Sequence, residues 1–173
     1  MRLFIAIPLQ KDIQNIVYGV QEQLRQAGMA GRFVPQGNHH ITLHFFGESD
    51  ALVDIADAMH EAVKDAKPFL LRLSDLGAFA HGGARTSILR VGGDCKELLR
   101  IHQTLESALT ERGFVRGRGR LEPHITLVRA VTQDDAFGIV VPNEAFWVRS
   151  IVLFDSRNEG GRMVYTPVHT ESF

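Results

Sequence analysis

His40-Ile41-Thr42-Leu43 and Pro123-His124-Ile125-Thr126-Leu127 carry the same tetrapeptide at two places in the chain. Each copy lies in a short apolar run, His40–Phe46 and His124–Arg129, of the composition expected of a β-strand. Side chains alternate along a strand, so His40 and Thr42 share one face while Ile41 and Leu43 share the other. His124 and Thr126 are placed in the same way, with Ile125 and Leu127 turned to the core. By the same alternation His44 falls on the face of His40, and Arg129 falls opposite His124. A third His-x-Thr, His102-Gln103-Thr104, lies inside a helical stripe, where residues two apart point about 200° apart. It cannot pair an imidazole with a hydroxyl.

Outward from the two copies the surroundings repeat. Phe4 precedes His40 by 36 positions and Ile88 precedes His124 by 36, and each interval holds one amphipathic helix. Ile13, Ile16, Val17, Val20, Leu24 and Ala27 have helical spacing with Gly28 as a stop. Leu98, Ile101, Leu105, Ala108 and Leu109 form another such stripe. There Asp94 and Glu97 have capping-box spacing, and Gly113 ends the run. A further helix runs from Leu52 through Ile55, Met59 and Val63 to Ala66, with Ser49 or Asp50 available as its cap. Other strands are expected at Leu3–Pro8, Phe69–Leu73, Thr86–Val91, Phe146–Phe154 and Met163–Val168. Gly82-Gly83 and Gly92-Gly93 read as turns, and the stretch from Gly117 to Arg120 as an exposed loop. The pattern predicts an α+β fold rich in antiparallel pairing, in one domain over residues 1–173. That domain is built from two duplicated lobes, with repeat units near 1–48 and 85–132. A pseudo-twofold axis between the lobes would set the two His/Thr pairs facing each other across a cleft.

Composition bounds the function. The chain has 173 residues, 45% apolar, with nineteen Lys and Arg against twenty Asp and Glu for a net charge of −1. No bulk positive field exists to hold long nucleic acid, so a nucleic-acid substrate must be gripped locally. One cysteine, Cys95, excludes an internal disulfide framework and fits a reducing, cytoplasmic setting. The start Met1–Pro8 is too short an apolar run for a signal peptide, and no stretch reaches membrane-span length. A monomer with no membrane association is expected.

Two imidazoles in one cleft suit a reaction that needs an acid and a base near neutral pH. Two hydroxyls beside them add hydrogen-bond donors for an anion, which points to a phosphodiester. No cofactor and no metal is implied. His39, His40 and His44 lie on a strand, where ligands four apart do not converge as they do on a helix, and no second cluster completes a site. Cys95 lacks a paired base. Arg116, Arg118 and Arg120 form a basic cluster that reads first as a solvated turn and second as an RNA-backbone contact. Phe45, Phe46, Phe79 and Phe114 read mostly as core.

The two motifs resemble the signatures of the two-histidine (2H) phosphoesterase superfamily. Further stretches are similar to its RNA 2′,3′-cyclic phosphodiesterase branch, also called 2′-5′ RNA ligases. These are Arg2–Ile7, the extension Phe45-Phe46-Gly47-Glu48, Pro68-Phe69 leading to Leu76–Phe79, Arg129, Trp147–Ser156 and the Gly161 to Tyr165 tail. His44 departs from the pattern, in which Lys or another residue often stands. The resemblance implies a bilobal α+β fold with outer helices and a V-shaped cleft, and enzymes that open a 2′,3′-cyclic phosphate to a 2′-phosphomonoester. It makes His40 the proton donor, His124 the proton acceptor, and Thr42, Thr126 and Arg129 phosphate-binding residues. RNA ends or nucleoside 2′,3′-cyclic phosphates would be the substrates, with ligation as a possible reverse reaction. The alternatives are another small cyclic phosphate or nucleotide as substrate, or a non-catalytic module that binds RNA ends.

Overall fold

In the computed structural model, which describes residues 1–134 and 136–173, alternating apolar runs and amphipathic stripes become two curled antiparallel sheets with three helices. The chain order is β1 (Arg2–Pro8), α1 (Lys11–Gln26), β2 (Ala30–Phe33), β3 (His40–Glu48), α2 (Leu52–Val63), β4 (Phe69–His81) and β5 (Ala84–Gly93). There follow α3 (Cys95–Glu111), β6 (His124–Gln133), β7 (Ala145–Val148), β8 (Ser150–Glu159) and β9 (Arg162–Ser172). One sheet has the strand order β3-β1-β8-β9 and the other β2-β6-β5-β4-β7. The strands carrying the motifs, β3 and β6, approach each other across the gap between the sheets. The fold is α+β, as the pattern of the sequence predicts.

Each motif strand pairs with the strand that precedes its helix, β3 with β1 and β6 with β5, in both cases antiparallel. The helices are fastened crosswise. Gln21 on α1 is buried, and its Nε2 donates to Val34 O at 2.9 Å and Leu127 O at 2.8 Å, tying α1 to the second sheet. Glu106 on α3 meets His44 of β3, tying α3 to the first sheet, and α2 packs beside α3. No described helix is long and apolar enough to cross a membrane.

Several local expectations change. The apolar run 146–154 breaks at Arg149, and its halves enter different sheets: β7 pairs β4 while β8 pairs β1. The short strand β2, with only Phe33 as a large apolar residue, forms because β6 offers it an edge. Neither Ser49 nor Asp50 caps α2; Ala51 holds the cap position, and Ser49 Oγ accepts from the Ala51 N–H before the helix begins. At α3 half the capping box forms. Asp94 accepts from the Glu97 N–H, but the Glu97 carboxylate turns to Arg100 instead of reaching back. Gly82-Gly83 makes the β4–β5 turn, whereas Gly92 and Gly93 stay in the ladder opposite Arg72 and Leu71. Gly93 has φ +91°, and a Cβ there would lie 2.9 Å from Leu70 O, so only glycine fits.

Candidate active site

The register of the two motif strands decides what faces the cleft. In β3, Thr42 pairs with Ala6 but His44 pairs with Ile5, so Leu43 is an extra residue with no partner. In β6, Thr126 pairs with Ile88 but Val128 pairs with Ser87, so Leu127 is the extra residue. The last residue of each tetrapeptide is therefore the site of a β-bulge. A bulge reverses the alternation beyond it. Leu43 and His44 are both buried, as are Leu127 and Val128. Phe45 and Arg129, each five residues after its histidine, come back to the cleft face.

Three expectations are corrected by this. His44 does not share the face of His40; it turns inward to Glu106 at 2.5 Å. Phe45 is not core but 53% exposed, beneath the Arg2 guanidinium. Arg129, which simple alternation puts behind the sheet, lines a groove of about 480 Å³ together with His40, Thr42, Arg32 and Tyr165. Arg32 stands directly opposite Arg129 in the β2–β6 ladder. Two cations in that position repel each other, a cost an anion between them would relieve. Arg32 was invisible in the sequence because β2 was.

The two imidazoles are held alike. His40 Nδ1 lies 2.8 Å from Asn38 O and His124 Nδ1 lies 2.7 Å from Glu122 O, in each case the carbonyl two residues upstream. A carbonyl only accepts, so each Nδ1 carries the hydrogen and each Nε2 is the nitrogen left for chemistry. His40 Nε2 sits 3.0 Å from Thr42 Oγ1. The His40 ring packs against Phe4 at 5.0 Å and the edge of Tyr165 at 5.4 Å; His124 meets Phe79 edge-on at 4.8 Å. Burial lowers the His40 pKa below the ordinary histidine value, the bond to Asn38 O opposes this, and the positive charges of Arg129 and His124 add to the lowering. The Thr126 hydroxyl has no hydrogen-bond partner among the described residues.

The remaining polar candidates point elsewhere. His39 is buried behind the strand; Gln14 Nε2 donates to its carbonyl, and Gln14 Oε1 accepts from its Nδ1 at 3.2 Å. Its Nε2 is buried without a partner among the described residues, and burial, with the charge of His40, lowers its pKa to about 4. His39 is a neutral structural imidazole. His102 and Thr104 diverge as helical geometry requires: His102 turns toward Glu106, and Thr104 Oγ1 donates back to Arg100 O. Burial and the neighbouring Asp94 push the Cys95 thiol up, the reverse of an activated nucleophile.

Comparison with known proteins places this geometry in context. A family model described as the 2′-5′ RNA ligase superfamily matches residues 10–159. The RNA 2′,3′-cyclic phosphodiesterase of Escherichia coli K12 is 28% identical over 172 residues, which is 96% of this chain and 93% of that protein. The protein of the same name from Aeropyrum pernix is 32% identical over 111 residues, 64% of this chain, and the match spans 63% of that relative. Among solved structures, TT0787 of Thermus thermophilus superposes with a TM-score of 0.81 at 25% identity, over 99% of this chain and 97% of that one. E. coli LigT complexed with 3′-AMP superposes with a TM-score of 0.77 at 26% identity, again over 99% and 97%.

Proposed function

The chain is an enzyme of the 2′-5′ RNA ligase superfamily, and from that premise we propose that it hydrolyses RNA 2′,3′-cyclic phosphate ends to 2′-phosphomonoesters by two-histidine acid–base catalysis. The observation that carries the reading is the matched pair of imidazoles, each with Nδ1 committed to the carbonyl two residues upstream and Nε2 without a backbone partner, that of His40 meeting the Thr42 hydroxyl. His124 Nε2 takes a proton from water as the water oxygen bonds to phosphorus. The P–O3′ bond breaks, and His40 Nε2–H supplies the proton that O3′ needs. Thr42 and Thr126 donate to the non-bridging oxygens, and Arg129, with Arg32 opposite, neutralises their charge. The donor and acceptor assignment is the one the family resemblance implies. With the 5′-hydroxyl of a second RNA in place of water, the same proton transfers leave a 2′-5′ diester, which is the ligation direction. The reading needs RNA ends as partner, no cofactor, and a cytoplasmic setting.

The test is direct. Wild-type protein in EDTA should convert nucleoside 2′,3′-cyclic phosphates to the 2′-phosphate isomer. A general acid and a general base each contribute about 10²–10⁴ in rate, so His40→Ala and His124→Ala should each lose turnover on that scale while keeping wild-type circular dichroism. The double variant should be little worse than either single, because the two act as a unit. Near-normal turnover in either single variant, or production of the 3′-phosphate, refutes the scheme. No turnover in wild type under any condition would leave an RNA-end-binding module.

A further inference from the structure

Along the His124 side of the cleft lies a set of cations that the reaction above does not use. Arg90 stands directly opposite His124 in the β5–β6 ladder, so their side chains share the cleft face. Its guanidinium lies across Gly77 of β4, where a Cβ would come within 2.5 Å of Arg90 Cζ. A residue without a side chain is what lets it rest there. Arg90 Nη1 donates to Asp75 Oδ2 and Leu76 O, both at 3.0 Å, which fixes the fork and leaves Nε and Nη2 for another acceptor.

The loop between α3 and β6 continues the line. Arg116, Arg118 and Arg120 are exposed, and none of them has an acidic partner among the described residues, unlike Arg85 with Asp134 or Arg112 with Glu61. Three depressions of about 540, 340 and 400 Å³ run into one another here, and Arg120 lines all of them. The first two are also lined by His124, and the third reaches Arg116. The loop is anchored, because the Gly117 N–H donates to the buried Glu106 carboxylate at 2.8 Å. Against the four arginines stand two surface carboxylates, Asp75 and Glu122. Glu106 is already engaged by His44. The result is an anchored, net positive groove that leads away from the reacting centre in a chain whose net charge is −1.

We infer that this groove, with Arg90 and Arg120 as its principal contacts, binds the internucleotide phosphates of a single-stranded RNA whose cyclic end lies between His40 and His124. The inference rests on the phosphodiesterase reading and extends it. A mononucleotide fills only the reacting centre, whereas an oligonucleotide gains the groove, so the enzyme prefers RNA ends to free cyclic nucleotides. A positively charged groove that tracks a backbone gives affinity without sequence preference and a steep salt dependence.

The test compares kcat/KM on a nucleoside 2′,3′-cyclic phosphate with kcat/KM on a short single-stranded RNA bearing the same end, at salt of about 50 and 200 mM. The proteins are wild type, R90M, R120M, the double R90M/R120M and R120K. The expected result is an oligonucleotide-to-mononucleotide ratio above one at low salt, falling about tenfold in the double variant, with R120K keeping most of it. A ratio that stays at the wild-type value in R90M/R120M overturns the inference, as does an equal fall on both substrates. Fluorescence anisotropy with an RNA ending in a 2′-phosphate gives a readout independent of turnover. The log–log salt slope should drop by about 0.7 for each arginine removed, and an unchanged slope again overturns the groove. Wild type that opens neither cyclic substrate refutes the phosphodiesterase reading, and the salt slopes still decide the groove.

Discussion

Arg129 acts on the site in two ways that a pH profile separates. Its guanidinium lines the groove beside His40 and Thr42, where the proposed mechanism puts a phosphate oxygen, and its charge helps hold the His40 pKa down. In the proposed mechanism His40 must be protonated to serve as the acid, so kcat/KM of the free enzyme should decline once pH passes the depressed range. Removing the charge raises the His40 pKa, and the protonated form then persists to higher pH. Arg129→Ala should therefore lower kcat/KM roughly tenfold to a hundredfold, the worth of a charge-assisted hydrogen bond, and move its optimum toward alkaline pH. Arg129→Lys should keep the wild-type optimum. The limbs belong to the coupled histidine pair, so the shift of the whole profile is the quantity to measure. A bound phosphate monoanion acts opposite to Arg129, and the kcat optimum should lie above that of kcat/KM. An optimum that stays put in Arg129→Ala would mean that Arg129 and His40 do not feel each other.

Leu43 and Leu127 explain where the sequence was legible and where it was not. Most of the strands, the three helices and the His/Thr pairing could be read from period and composition, because those signals reside in each segment alone; β2, with one large apolar residue, and the break at Arg149 could not. The bulges could not be read. A bulge is a mismatch between two strands, and neither His40–Phe46 nor His124–Arg129 carries a mark of it. Simple alternation consequently misplaced His44 and left Arg129 on the wrong face. The buried His44–Glu106 contact is the packing that replaces a cleft role for His44, and it also anchors the arginine loop through Gly117. Burial pushes the Glu106 pKa up, but the bonds from His44 and the Gly117 N–H, with the nearby imidazole charges, outweigh it and hold the carboxyl below its usual 4.5. A carboxyl with a depressed folded pKa stabilises the fold above the unfolded value and loses that contribution as pH falls through the folded one. Glu106→Gln should cost about 1–3 kcal/mol at pH 7, read from urea midpoints, with the gap to wild type closing below about pH 4.5. A gap that widens in acid would contradict the role given to the ionised carboxylate.

The two sheets look separable, yet neither is completed by its own half of the chain. β2, from the first third of the sequence, pairs with β6 in the second sheet, and β8, from the last third, pairs with β1 in the first. α1 is fastened to the second sheet through Gln21, and α3 to the first through Glu106. The consequence reaches the buried apolar residues: Leu3, Ile5 and Ile41 of the first sheet belong to one continuous cluster with Leu71, Leu89 and Ile125 of the second. Opening the cleft by unfolding one side would strip strands and helix contacts from the other, so the cost of partial unfolding approaches that of the whole. For a chain of 173 residues this predicts one cooperative transition despite the two-sheet form. Far-ultraviolet circular dichroism, sensitive to all the elements, and the fluorescence of Trp147, on β7 in the second sheet, should give superimposable urea curves with one midpoint. Activity, which needs β3 and β6 together, should vanish along the same curve. An early loss of the Trp147 signal with half the dichroism retained would show that the second sheet unfolds alone, and that the crosswise fastening does not couple the two sides.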